Sequence, residues 1–177
     1  MPRGPRQLAT ETELYTAAVG ALARRAHSAF EMRKYLERRA VDRELVPGVL
    51  ARLRAEGLID DARYAALFAR ARSANRRQGP LRIARELRAR GVGDRHIDAA
   101  VEAASSTENG RAALRRRIEV WLRRHGADRA GALDRKGFAS LYRSLLAAGF
   151  PGDRIRAEIG RAGGYRQSLP EIDAGPG

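Results

Sequence analysis

The chain reads as an all-α protein, a tandem array of three three-helix repeats of helix-turn-helix-like form, elongated and curved. Three observations carry this. No stretch alternates apolar and polar residues with period two over a useful length, so strands are not expected. Of the 177 residues 44% are hydrophobic but only 6% aromatic, which leaves packing to Ala and Leu, both strong helix formers. One register also recurs: Leu36, Leu87 and Leu145 correspond, then Ala40, Gly91 and Gly149, and then Val41, Val92 and Phe150. Val46, Ile97 and Ile155 follow, and Leu50, Val101 and Ile159 after them. The offsets are 87 − 36 = 51 and 145 − 87 = 58 residues, a period that indicates supersecondary units stacked in line. In each unit the small residue lets the chain turn, and the apolar residue after it is expected to tuck beneath the turn.

Each element has a local reason. Leu14, Ala18, Leu22 and Ala26 recur at helical spacing, so a first helix is expected over Leu14–Ala26. Ser28 followed by Glu31 has the form of a capping box and starts a second helix that runs to about Arg39. Asp42 caps a third helix that carries Leu45, Val49, Leu50 and Leu53 and ends at Gly57. Pro47 and Gly48 fall inside it and predict a late or irregular opening. Asp60 or Asp61 caps a fourth helix with Tyr64, Leu67, Phe68 and Ala71 in its apolar stripe, fading into a polar turn at Ser73–Gln78.

Pro80 just inside and Gly91 just past the end mark a fifth helix over Pro80–Arg90. Its apolar face holds Ile83, Ala84 and Leu87, its cationic face Arg82, Arg85 and Arg88. Asp94 caps a sixth, with Ile97, Ala100 and Val101 inward, and Ser105–Gly110 reads as a loop. Arg111–Arg124 follows with Leu114, Ile118, Trp121 and Leu122 inward; then come a loop at Asp128–Asp134 and helices over Lys136–Ala148 and Asp153–Ala162. The expected organisation is a flexible tail at 1–13, repeats at 14–58, 59–106 and 107–162, and a flexible tail at 163–177.

Charge points to a polyanion. The net charge is +14, and nearly all of the cations are Arg, with Lys only at 34 and 136. Between Arg63 and Arg90 the chain carries nine arginines against Glu86 alone. A second cluster comprises Arg111, Arg115, Arg116, Arg117, Arg123 and Arg124, relieved by Glu119. A surface so unbalanced suits phosphate neutralisation. Arg70, Arg72, Arg76, Arg77, Arg82, Arg85, Arg88, Arg115 and Arg116 are the expected contact residues. Sequence-specific base reading is not expected, because DRELVPGV, DRHIDAAV and DRIRAEI at the third helices lack the Asn and Gln that read adenine.

Chemistry is not apparent. There is no cysteine, hence no disulfide or thiolate. His27, His96 and His125 lie in different units without a second ligand at metal spacing. Asp60-Asp61 is explained by helix capping, and no phosphate-binding glycine loop is present. Neither catalytic residues, a metal nor a cofactor are expected. The amino terminus, MPRGPRQLATETE, lacks an apolar signal core. A soluble, cytoplasmic monomer is expected.

GLIDDARYA (Gly57–Ala65) and GPLRIARELRARGV (Gly79–Val92) resemble the signature of the RecX family, regulators of the RecA recombinase. ALARRAHSAFEMRKYLERR (Ala21–Arg39) and LYRSLLAAGFPGDRIRAEI (Leu141–Ile159) agree with its outer units. The resemblance covers residues 14–162. Departures are Pro47-Gly48 and the length of the 125–134 connection; the Pro- and Gly-rich carboxyl-terminal tail has no assigned role. The resemblance implies tandem three-helix repeats and a non-enzymatic function: binding in the groove of the RecA filament on single-stranded DNA, with inhibition of ATP hydrolysis and strand exchange. It implies RecA and single-stranded DNA as partners, with weaker binding to duplex DNA, and no membrane. The residues themselves leave open a stand-alone helix-turn-helix DNA-binding regulator and an adaptor for an acidic protein.

Overall fold

The computed structural model describes residues 7–76, 78–125 and 135–161. Among them are nine helices: α1 (Glu11–Arg24), α2 (Ala29–Glu37), α3 (Leu45–Ala55), α4 (Asp61–Arg76), α5 (Pro80–Arg88), α6 (Asp94–Ser106), α7 (Glu108–His125), α8 (Arg135–Ala147) and α9 (Gly152–Arg161). They form three three-helix units in tandem, each with its own apolar core. Leu14, Met32, Leu36, Val49 and Leu53 centre the first. Ala65, Ala69, Ile83, Leu87 and Ile97 centre the second, and Leu114, Phe138, Leu141, Leu145 and Ile155 the third. The recurring Leu36, Leu87 and Leu145 are wholly buried.

Caps fix the starts. Thr10 and Glu13 form a capping box on α1, and Ser28 and Glu31 form another on α2. α3 opens late, at Leu45, with Pro47 in its first turn, where its missing N–H costs nothing. The Asp60 carboxylate accepts from the Ala62 and Arg63 amides at 2.9 and 3.0 Å, capping α4. Asp94 and Asp153 lie inside the first turns of α6 and α9 rather than before them.

Four expectations need correction. A flexible tail is expected over 1–13, but in its described part, residues 7–13, Leu8 is buried and α1 starts at Glu11, where Thr10 supplies the cap; residues 1–6 lie outside the described residues. Ser105–Gly110 is helical on both sides of Thr107, whose hydroxyl accepts from the Gly110 amide at 3.0 Å and starts α7 at once. On α4 the innermost residues are Ala65 and Ala69, while Leu67 is 55% exposed. Small alanines let α4 lie close to α6, its main partner, and this turns the larger residues to the flanks. The fourth is Val41, expected beneath its turn but 66% exposed. In the other units the equivalent amides close the helix end, Val92 N–H to the Leu87 carbonyl and Phe150 N–H to that of Leu145, both at 3.2 Å. The Val41 amide instead donates to the Leu8 carbonyl at 2.9 Å. The loop expected at Asp128–Asp134 and the tail at 163–177 lie outside the described residues.

The units join in a repeated way. The start of one unit's second helix meets the turn that follows the second helix of the next unit. Ser28 Oγ donates to the Arg90 carbonyl at 2.6 Å. Gly79 N–H donates to the Ala148 carbonyl at 2.8 Å, and Leu81 N–H to that of Gly149 at 3.0 Å. In the first unit the donor to the corresponding carbonyl is Leu8 N–H, which meets the Arg39 carbonyl at 2.7 Å. Residues 39, 90 and 148 each precede the small turn residue of their unit.

These joints are tight. A Cβ on Gly91 would stand 2.4 Å from Phe30 Cβ, and one on Gly149 would stand 2.4 Å from Arg82 Cβ. Gly57 has the same left-handed backbone, with φ of 69°, but open space around it. Gly57→Ala is therefore expected to cost about 1–2 kcal/mol, for conformation alone. Gly149→Ala, with φ of 90° and a collision, is expected to cost clearly more. Urea unfolding of the two variants checks this; equal losses would mean that the units are loosely joined.

Candidate nucleic-acid and protein interface

The arginines divide into tethered and untethered groups. Glu86 organises one side of the second unit. Its carboxylate accepts from Gln78 Nε2 at 3.1 Å and Arg82 Nε at 3.2 Å, and pairs with Arg72 Nε at 3.5 Å. Burial alone would raise the Glu86 pKa, but Arg82, Arg72 and Gln78 outweigh it and hold the carboxyl below its ordinary value. Arg72 is mostly buried and lies 4.7 Å from the centre of the Phe68 ring. Arg90 lies 4.8 Å from the same ring and donates to the Glu86 carbonyl at 2.8 Å rather than to its carboxylate. Arg72 and Arg90 thus brace α4 against α5.

Others are tied at the surface. Arg88 Nε donates to Asp94 at 2.7 Å, across the α5–α6 turn. Arg115 pairs with Glu158 of α9 at 3.0 Å. Arg116 donates to Asn109 Oδ1 at 3.3 Å. Exposed pairs of this kind are weak and can exchange partners at little cost. Arg70 and Arg85 are exposed and have no ion-pair partner among the described residues. Arg76 ends α4, but its side chain, like all of Arg77, lies outside the described residues. The structure therefore separates Arg72, a packing residue, from Arg70 and Arg85, which are exposed and without an ion-pair partner among the described residues. Sequence periodicity cannot make that separation, because it depends on where Glu86 and Phe68 lie.

A second polar cluster, which the sequence reading does not assemble, joins the first two units. Asp61 Oδ1 accepts from the Ala29 amide at 2.8 Å, across the junction. Glu31 accepts from Tyr64 Oη at 3.3 Å and from Arg25 at 3.2 Å, and Arg90 stands 4.0 Å away. Burial pushes Glu31 upward, but Arg25, the Ser28 amide and Tyr64 together bring it below its ordinary value. The one signal in the sequence is Asp60-Asp61: only one aspartate is needed to cap α4, so the other is available to the neighbouring unit.

Two three-helix domain models match the chain, described as the first RecX three-helix domain at residues 15–53 and the second at residues 60–101. Regulatory protein RecX of Halorhodospira halophila is 40% identical over 148 residues, which is 82% of this chain and 86% of that protein. This chain belongs to the RecX family. RecX of Pseudomonas putida KT2440 is 36% identical over 148 residues, 84% of this chain and 90% of that protein. The crystal structure of RecX from Lactobacillus salivarius has the same fold, with a TM-score of 0.76 at 21% identity over 85% of this chain and 95% of that one. The RecX relatives are regulatory proteins by name. No described helix is long and apolar enough to cross a membrane.

His27 gives the junction a pH response. It is buried beside Ser28, and its Nδ1 lies 2.9 Å from the Arg25 carbonyl. Burial, and then the Arg25 charge, lower its pKa below the ordinary 6.5. The folded state thus binds this proton less readily than the unfolded chain. The resulting stability is complete above about pH 6.5 and is lost as pH falls through the depressed folded value. Glu31, also depressed, contributes above the ordinary carboxyl value and is lost only in stronger acid. Between pH 7.5 and 5.5 the wild type should lose stability, and His27→Gln should flatten that dependence. Thermal unfolding across that range checks it; parallel curves would exclude His27 as the cause.

Proposed function

We propose that this protein is a cytoplasmic, non-enzymatic, monomeric regulator that binds RecA filaments on single-stranded DNA and inhibits their ATP hydrolysis and strand exchange. Membership of the RecX family supports the choice of partner. The observation that carries the contact is the exposed charge of Arg70 and Arg85, unpaired among the described residues, supplemented by the weakly tied Arg88, Arg115 and Arg116 and by Arg82, which stays partly exposed though held by Glu86. Arg76 and Arg77 extend the same stretch of chain. The repeats at 14–58, 59–106 and 107–162 act as three linked contact modules, so that weak contacts add through effective concentration. A stand-alone DNA-binding regulator is the reading to be excluded.

Titration of the protein into RecA hydrolysing ATP on single-stranded DNA tests the proposal. Hydrolysis is expected to fall well below one regulator per RecA protomer, because one blocked site affects its neighbours. Unchanged hydrolysis together with firm, sequence-selective binding to bare duplex would overturn it. For the charge contact, Arg70→Ala and Arg85→Ala should each reduce the slope of log affinity against log salt by about 0.7 on single-stranded DNA. Arg72→Ala should instead lower stability, as a melting curve would reveal. Equal DNA effects from all three would contradict the division into free and packing arginines.

A further inference from the structure

The junction of the first two units holds a groove that the arginine surface does not explain. Val19, Leu58 and Leu67 are 37%, 43% and 55% exposed, and all three line it. α1 supplies one wall, through Val19 and Leu22; α4 supplies the other, through Leu67. The turn between α3 and α4 places Leu58 at its side, and His27 contributes as well. The volume is about 470 Å³, enough for one or two large side chains. A single exposed leucine is ordinary. Three large apolar side chains converging on one concavity are not. The groove cannot simply close, because the Ser28–Arg90 and Ala29–Asp61 bonds fix the spacing of the units beside it.

The internal repeat shows that this groove is particular to one junction. The 51-residue register extends to the first helices: 65 − 14 = 51 and 69 − 18 = 51, linking Leu14 to Ala65 and Ala18 to Ala69, all wholly buried. It maps Val19 onto Arg70. Between the second and third units the core positions Ala65 and Ala69 match Leu114 and Ile118, at 114 − 65 = 49 and 118 − 69 = 49. That register maps Leu67 onto Arg116. The most exposed apolar residue of each wall, Val19 and Leu67, thus corresponds to an arginine in the next unit, and there α4 packs directly on α7.

Charge narrows the occupant. Arg63 lines the groove, and Arg24 is exposed at the end of α1. The lining carboxylate, Asp60, already serves the Ala62 and Arg63 amides as a helix cap. Phosphates gain nothing from aliphatic walls. A second copy would bring its own charge of +14 against this one. We propose that the groove between α1 and α4 docks a leucine- or isoleucine-sized side chain from an acidic segment of the RecA protomer, an assignment that rests on the RecA-regulator reading above. The apolar side chain supplies the anchor and flanking carboxylates pair with Arg63 and Arg24.

The test uses the full chain carrying V19S and L67S together, both at exposed positions, so folding should survive. Three quantities are read for wild type and variant: inhibition of RecA ATP hydrolysis on single-stranded DNA, affinity for a labelled single-stranded oligonucleotide without RecA, and mass in solution. The variant should inhibit at least about tenfold less potently, in line with loss of a buried apolar anchor. Its oligonucleotide affinity should stay within about twofold, a shift too small to matter for phosphate binding. Arg70→Ala should show the opposite pattern, weaker oligonucleotide binding with the apolar dock intact. Inhibition by wild type and variant at equal potency overturns the docking assignment alone. Equal losses of inhibition and oligonucleotide affinity assign the groove to DNA and overturn it too, as does a wild-type dimer that the variant dissociates. A wild type that leaves RecA unaffected overturns the regulator reading, and this assignment with it.

Discussion

The fold depends on a backbone carbonyl left open at the end of each second helix. A helix ends with acceptors that it cannot satisfy itself. In each unit, the carbonyl just before the turn, at Arg39, Arg90 or Ala148, accepts from a segment that belongs to no helix of that unit. The donor is a hydroxyl at Ser28 and an amide at Gly79 and Leu8. The array is therefore joined through helix ends, where partners must approach to backbone distance. That explains Gly91 and Gly149, where a side chain would collide with the neighbouring unit. At Arg39 the donor is the Leu8 amide, from the segment before α1.

The helices themselves were readable because their signals are local. The Ser28 box, Pro80 and the glycine turns mark boundaries whatever the tertiary context, and the recurring leucines are buried as the register required. The misreadings share a different cause. Leu67 looks like a core residue by spacing, but the inner face of α4 is set by how near α6 can come, and alanines win that place. Val41 occupies a core position of the register, but its amide is drawn out to Leu8, more than thirty positions away. The candidate contact surface was readable as a composition and not as a geometry. Nine arginines against Glu86 identify a cationic stretch, but only the fold shows that this glutamate holds Arg72 and Arg82 and not Arg70 or Arg85.

The scarce acids thus do more than reduce charge. Glu31 and Asp61 join the first unit to the second, Glu86 braces the second, and Glu158 ties α7 to α9. Each sits where an amide, a hydroxyl or a packed arginine needs an acceptor. The remaining positive charge is left on exposed helix faces, where it can meet a polyanion without disturbing the cores. A repeat architecture suits this division: burial within each unit provides stability, polar helix ends set the spacing, and the outer faces vary from unit to unit.

The central claim is that the units are coupled through these helix-end hydrogen bonds, and amide hydrogen exchange of the wild-type protein tests it most directly. The amides of Ala29, Gly79 and Leu81 lie at helix starts, outside the helical ladders, and each donates to an acceptor in another unit. If the units are coupled there, these three should exchange as slowly as the helices that they join. Exchange at the rate of open loops, with the α5 and α8 interiors still protected, would mean that the units stand independently and would contradict the account.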